Sequence, residues 1–380
     1  MEQPTGLDPT LPGLADVLPS VATSLGVPGL DRAPAFPLAP AARAVVVLLD
    51  GLGDELLRRR GGHAPFLRSL LPTAYGVACG FPSTTATSMG SFGTGLRPGA
   101  HGLLGYEVLV PGEDRLLNEL SWEDGPPPEQ WQPEETVFQR AAADGVAVTR
   151  VGPGFFDGSG LTRAALRGGR FVAAGSLADR VDATLAALRG GPRALVYLYW
   201  GDLDKVGHVH GCESWEWGTE LETVDRELAR LARALPGDTS LTVTADHGMV
   251  DAPHELRLDV AHEGALAEGV RHVGGEARAL QLYCEPGRAE AVHARWTERL
   301  GERAWVRRRE EVLADGWFGA VAERNLPRIG EVVVAMRGVY AVVDSRRARP
   351  ELLALRGLHG SVTDDEIRVP VIHLEAGGRG

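Results

Sequence analysis

ARAVVVLLDGLGDELLRR, Ala42 to Arg59, carries the first strong structural signal of the chain. Its apolar run from Ala44 to Leu49 shows no polar alternation, so both faces of the segment need cover, as in a buried parallel strand. The run ends on Asp50, turns through glycines and enters a helical pattern. The same grammar returns twice. ALVYLYW, Ala194 to Trp200, runs into GDLDKVGH, and SLTVTA, Ser240 to Ala245, runs into DHGM. Helical patterns lie between them, at Leu177 to Leu188 and Trp217 to Leu235. Strands alternating with helices predict a doubly wound α/β sheet, with ligands gathered at the carboxyl ends of the strands. Asp50, Asp204 and Asp246 all fall at such ends.

Around this core the chain is organised simply. Residues 1–40 are rich in Pro and Gly, with a short helical piece near Leu14 to Leu25, and read as a surface-lying lead-in. The core is expected over 41–254 and again over 346–380, where RGLHGSVTDDEIRVPVIHL brings the chain back to a final strand, Val369 to Leu374. Between them, EARALQLYC, GRAEAVHARWTERL, AWVRR and EVVVAMRGVYAVVDS predict strand, helix, strand and a hairpin, a small α+β cap inserted over 255–345.

A chain of 380 residues, 44% hydrophobic and 24% charged, is long enough for one large domain or a domain with an insertion. Its formal charge of -12 argues against a nucleic acid or an anionic membrane as a broad-surface partner. An anionic substrate has to be drawn by local charge instead. Cys79, Cys212 and Cys284 are widely spaced and match no CxxC pattern, as expected of reduced thiols. The first residues lack a basic n-region and an unbroken apolar stretch, and no run of ~20 apolar residues occurs. The expectation is a cytoplasmic protein; its oligomeric state is not legible.

The chemistry lies at the strand ends. Asp50, Asp204, His208, Asp246, His247 and, from the tail, His359 are three carboxylates and three imidazoles. Asp204 and His208 stand four apart, so one helical turn aims both at the same spot. Asp246 and His247 are adjacent and point to different sides, which is what two neighbouring ions need. Carboxylate and imidazole mixtures suit Zn²⁺, with Mn²⁺ and Fe as rivals. The stretch FPSTTATSMGSFGTG, Phe81 to Gly95, opens a helix at Ser83, Thr84 and Thr85, where unpaired backbone N–H groups suit a phosphate and a hydroxyl is available as nucleophile. Six protein ligands and one such alkoxide suffice for two ions about 4 Å apart, and the two ions against the three carboxylates alone leave a net charge of about +1 to attract a phosphoryl group.

Together these motifs resemble the alkaline phosphatase superfamily, and within it the nucleotide pyrophosphatase/phosphodiesterase group. The resemblance rests on LLDGLGD around Asp50, on the threonine stretch running into GTGLRPGAHG, and on DLDKVGH, ADHGM and the late LHG. It implies a three-layer α/β/α sandwich with two zinc ions. Counting back from Thr94 in the T-G pair, it implies Thr85 as nucleophile, with Thr84 the fallback. Asp204, His208 and His359 are implied to hold one metal; Asp50, Asp246 and His247 the other, with Thr85 bridging to it. The backbone N–H of Thr85 or Ala86 is implied to bind the phosphoryl oxygens. The group's Asn for a second phosphate oxygen is missing, and LLGYEV offers Tyr106 in that region. No equivalent stands out for the arginine that monoesterases use, although Arg97 and Lys205 adjoin the motifs. Cys79-Gly80-Phe81-Pro82 also lacks the sulfatase C-x-P-x-R pattern.

The implied function is metal-dependent hydrolysis of a phosphodiester or nucleotide pyrophosphate through a phosphoryl-threonine. A phosphomonoesterase or phosphomutase on the same metal core is one alternative, and a metal-binding protein without turnover another. The implied partner is a small-molecule phosphate ester, nucleotides included. Trp200, Trp317 and Phe318 are candidates for stacking on a leaving group, and Asp202 for support of a metal ligand.

Overall fold

The computed structural model describes residues 7, 10–30 and 35–377. Parts of the expected lead-in, residues 1–6, 8–9 and 31–34, lie outside the described residues. The helical piece there is α1 (Val17–Ser24), entered by a single 3₁₀ turn, and it does not lie on the surface. Leu14, Val17, Leu18 and Val21 are buried in the same core as the sheet. Val17, Leu18, Val21 and Leu25 recur at helical spacing, and Pro19 sits in the first turn, where its missing N–H costs nothing.

The chain then lays down β1 (Arg43–Leu49), β2 (Tyr75–Ala78), helix α2 (Thr85–Thr94), β3 (Ala147–Gly152) and β4 (Arg170–Ala173). Next come α3 (Leu177–Ala187), β5 (Ala194–Trp200), α4 (Asp202–His210), α5 (Trp215–Ala234) and β6 (Thr239–Thr244). Then follow β7 (Val270–Glu276), β8 (Ala279–Cys284), α6 (Ala289–Leu300), β9 (Ala304–Arg308) and β10 (Val332–Met336) before β11 (Arg368–Leu374), which pairs in the central sheet. The seven-stranded central sheet has the order β2-β11-β6-β1-β5-β3-β4. From β6 to β4 every pairing is parallel; β11 runs antiparallel to both β6 and β2. With helices packed over it, the sheet forms the α/β/α sandwich expected, closed by an antiparallel strand at one side.

β1 lies at the sheet's centre, in register Val45↔Val196 with β5 and Val45↔Leu241 with β6, and its residues from Ala44 onward are buried. The ladder continues one step past the strand, because Asp50 N–H donates to Trp200 O at 2.8 Å. That bond fixes where the Asp50 carboxylate stands. α5 buries Trp217, Leu221, Val224, Leu228 and Leu231 along one stripe, and the Ser214 hydroxyl caps it by accepting from Trp217 N–H.

β7 to β10 form a separate antiparallel sheet in the order β7-β8-β10-β9. Its outer face and α6 enclose a small core around Leu282, Val292, Trp296, Val306 and Val334. The alternate residues of β8 reach the main body: Gln281 Nε2 donates to Leu104 O, and the Tyr283 hydroxyl accepts from Leu109 N–H. The hairpin expected at EVVVAMRGVYAVVDS does not form. β10 pairs within this sheet, whereas Ala341–Val343 pairs in parallel with Arg257–Asp259. Between the two, Arg278 enters a buried ion pair with Glu366 and also donates to the carbonyls of Tyr340 and Gly338. The link itself turns, Tyr340 N–H donating to Arg337 O at 3.2 Å, but the chain beyond it is drawn away from β10, Val342 N–H donating to Ala277 O at 2.8 Å.

His101, in the RPGAHG loop, is fully buried, with Ser91 Oγ 3.0 Å from Nε2 and Leu103 N–H donating to Nδ1. Burial, with Arg328 adding to it, pushes the imidazole down to about 3. A folded-state value below the ordinary one means that this stability is present at neutral pH and lost as pH falls below the unfolded value. Between pH 6.5 and 5 the loss from His101 alone is about 2 kcal/mol. Unfolding free energies from urea titrations at these two pH values are expected to converge by that amount in His101→Gln relative to the parent.

Candidate metal centre

At the carboxyl ends of β1, β5 and β6 the six acidic and histidine residues meet. His247 Nε2 lies 3.5 Å from both Asp50 Oδ1 and Asp246 Oδ2, and the ligand atoms of these three lie within 4.8 Å of one another. Those of Asp204, His247 and His359 form a second such group. His359 Nε2 is 3.8 Å from Asp204 Oδ1, and His208 Nε2 is 3.3 Å from Asp204 Oδ2 across one turn of α4. The His247 and His359 rings stack at 3.7 Å. Thr85, the first residue of α2, places Oγ1 3.2 Å from His247 Nε2.

Three loops have to pass close together for this. Gly51 adopts φ +75°, and a Cβ there would stand 3.0 Å from both Cα and Cβ of Asp204. Only glycine permits both that backbone and that approach. Gly51→Ala is expected to lower metal affinity by about 10- to 100-fold, which elemental analysis after dialysis would read as loss of bound metal per chain. The threonine loop is tied to the His359 loop: Ser83 N–H donates to Gly360 O, and Ser83 Oγ donates to Ser361 O at 2.6 Å.

The donor set fits divalent cations. Asp50 Oδ1, Asp204 Oδ1 and Asp246 Oδ2 are buried without a hydrogen-bond partner among the described residues, which costs free energy unless something positive meets them. Each histidine has its other ring nitrogen against a backbone carbonyl: His208 Nδ1 at Gly357 O, 2.7 Å; His247 Nδ1 at Gly248 O, 3.0 Å; His359 Nδ1 at Ser83 O, 2.9 Å. A carbonyl holds the proton on Nδ1 and leaves the Nε2 lone pair aimed into the cluster, the arrangement that orients metal-binding imidazoles.

Without cations the carboxylates crowd one another. Burial, then Asp246 and Asp204, hold the Asp50 carboxyl well above its usual range; burial also raises Asp246. Asp204 moves down: burial alone would raise it, but His208 and His359 outweigh burial. Burial would likewise lower His208, yet Asp204 lifts it to about 9. His359, buried and facing His247, falls well below its ordinary value.

A cavity of about 620 Å³ opens from Thr84, Thr85, Asp204, His208 and His359 towards the inserted region, and Tyr106 and Lys205 line it too. Ala86 is buried and is not part of the lining. Thr84 is the N-cap of α2, but its side chain makes no capping bond to the helix, the hydroxyl turning to Glu276 instead. Trp200 and the Trp317/Phe318 pair are not in the cavity. Trp200 donates to Glu220 beneath the Arg180 guanidinium, and the pair packs on Phe81 at 5.0 and 5.4 Å, which places all three in the core. Arg97 turns away to Leu11 O and Asp16, and Asp202 is an exposed first-turn residue of α4.

Sequence reasoning missed two neighbours of the cluster. The Tyr199 hydroxyl donates to Asp50 Oδ2; its position in ALVYLYW, next to a buried Trp, gave no sign of it. Glu276, at the end of β7, stands 3.5 Å from His359 Nδ1 with Oε1 unpartnered, and burial pushes it up to about 8 against the pull of the Thr84 hydroxyl. Tyr106 is presented by a loop pinned from below, where buried Glu119 accepts from Leu104 N–H, Gly105 N–H and the Trp131 indole.

A family model described as type I phosphodiesterase / nucleotide pyrophosphatase matches residues 44–362. Among solved structures, murine ectonucleotide pyrophosphatase/phosphodiesterase 5, an inactive form in complex with AMP, superposes with TM-score 0.69 at 16% identity, over 88% of this chain and 89% of that one. The human counterpart gives TM-score 0.69 at 18% identity, covering 87% of each chain. Phosphonoacetate hydrolase from Sinorhizobium meliloti, in complex with phosphonoacetate, gives TM-score 0.66 at 21% identity over 88% and 91%. No curated protein matches. At these identities the superpositions speak for a shared fold.

Proposed function

Since the chain belongs to the type I phosphodiesterase / nucleotide pyrophosphatase family and is therefore a phosphoester hydrolase, we propose that it cleaves a phosphodiester or nucleotide pyrophosphate by attack of the Thr85 hydroxyl on phosphorus beside two divalent ions. The observation that carries this reading is Thr85 Oγ1 at the open start of a buried helix, 3.2 Å from His247 Nε2 and within a cluster rich in unsatisfied carboxylate oxygens. Asp50, Asp246 and His247 would hold one ion; Asp204, His208 and His359 the other. Zinc there, with manganese or iron as alternatives, would supply charge that lowers the pKa of an oxygen ligand and offsets negative charge on the phosphoryl group.

The chain's own groups perform the rest. The Thr85 oxygen forms a bond to phosphorus as the bond to the leaving oxygen breaks on the opposite side. The N–H groups of Thr85 and Ala86, first-turn donors that no side chain caps, face the equatorial oxygens. Water then attacks the phosphoryl-threonine, the threonine oxygen departs from phosphorus, and the hydroxyl is restored. Three carboxylates against two divalent ions leave about +1, which favours a monoanionic diester over a dianionic monoester. AMP in the murine protein and phosphonoacetate in the bacterial hydrolase support a small phosphorus-bearing substrate in this fold.

Acid-quenched reaction with bis-nitrophenyl phosphate, followed by peptide mass analysis, tests this. A nitrophenyl phosphoryl group on the peptide carrying Thr85 is expected. An adduct elsewhere would refute the assignment, and faster turnover of nitrophenyl phosphate than of the diester would move the reading to a monoesterase.

A further inference from the structure

Resting on the function proposed above, we infer that the cavity beside Thr85 takes the organic substituent of the ester, and that this substituent is an aliphatic chain carrying a second anionic group rather than a nucleoside. Two features of the lining point there independently. The first is the lack of a stacking surface. Histidines of the metal cluster apart, Tyr106 is the one aromatic residue in the wall, and the three aromatic residues suited to a base are committed to the core. The wall is aliphatic instead: Val260, Val273, Leu280 and Val342 from the inserted region, with Leu120 and Leu352 at the mouth, each of the latter two more than 40% exposed. Large aliphatic side chains left open at the rim of a cavity favour a flexible apolar ligand over a planar polar one.

The second feature is charge. Lys205, Arg347 and Arg349 line the cavity, and none of them forms an ion pair among the described residues. Arg347 donates to Val273 O at 3.5 Å and acts on the Glu107 and Asp344 carboxylates only from beyond ion-pair distance. Arg349 is close enough to Tyr106 to act on its hydroxyl. Of the carboxylates in the wall, Asp204 belongs to the metal cluster, Asp344 is taken by Arg346 and Glu276 is turned to His359, which leaves Glu107 against three cations. A positive excess beyond the phosphoryl site calls for a second negative charge on the substrate.

The test compares three nitrophenyl phosphodiesters, whose second substituent is hexyl, carboxypentyl or thymidine. The carboxypentyl ester is expected to exceed both others in kcat/KM by about tenfold or more, the range of one charge-assisted hydrogen bond. In the exposed double variant Arg347→Gln/Arg349→Gln its ratio to the hexyl ester should fall to about one. A thymidine ester turned over as fast as the carboxypentyl ester, or a ratio the variant leaves unchanged, overturns the inference. If none of the three is hydrolysed, the proposed function fails, and calorimetric binding of the same esters to Thr85→Ala decides the subsite. The same ranking would then uphold it, and no preference for the carboxylate would refute it.

Discussion

Thr85→Ala is expected to lower kcat for diester hydrolysis by about 10³-fold or more, with bound metal per chain retained. The substitution removes one oxygen and keeps a good helix former at the start of α2, so the buried body of that helix, Met89 and Phe92 included, is untouched. Six other donors remain to hold the ions. Initial rates on bis-nitrophenyl phosphate and elemental analysis of the same sample separate the two effects. Thr85→Ser, which restores a hydroxyl at the same position, is expected to recover a substantial part of the rate. Retained turnover in the alanine variant would sink the threonine mechanism, whereas joint loss of metal and turnover would recast Thr85 as a ligand first.

The second large effect is on stability. Arg278 and Glu366 are both fully buried and bonded through two nitrogens and two oxygens at 2.7 Å. Glu366 also accepts from Ser361 N–H and the Thr363 hydroxyl. Glu366→Ala strands a guanidinium with carbonyls alone for partners, a change worth about 3–5 kcal/mol, or a melting temperature lower by roughly 4–6 °C. Replacing both partners by methionine should cost clearly less, since no charge is then left buried. Ser361 lies two residues from His359, so the single variant is also expected to bind metal less well. Differential scanning calorimetry on the two variants decides the matter; equal losses would mean that packing rather than charge holds this junction.

The centre of the molecule was legible because burial on both faces leaves a strand no choice of composition. Val45 to Leu49 and Leu195 to Leu198 could be read as interior strands directly, and Asp50, Asp204 and Asp246 then had to stand at their ends. Local spacing sufficed for Asp204 and His208 as well. What failed depended on contacts far apart in sequence. Trp200, Trp317 and Phe318 look alike whether they line a cavity or fill a core, and partners such as Phe81 and Arg180 decide between the two. Glu276 was invisible because a carboxylate after a strand in an inserted region is ordinarily a solvated turn residue. The reverse approach of His359 and Gly360, the latter at φ +125°, buries it. α1 was misplaced because Pro and Gly on either side suggested a surface segment, while its own valines and leucines match the core they cover.

β11 has one more consequence. It lies between β2 and β6, so β2 meets the sheet only through a strand made long after both. During synthesis the hydrogen-bonding edge of β6 stays bare until β7 to β10 have all been made, and His359 reaches its partners only shortly before that gap closes. Pairings so distant in sequence are slow to form, and an open apolar edge is prone to pair with other chains while it waits. A nascent or C-terminally clipped chain should therefore depend on chaperones and aggregate at an edge that the finished protein never shows.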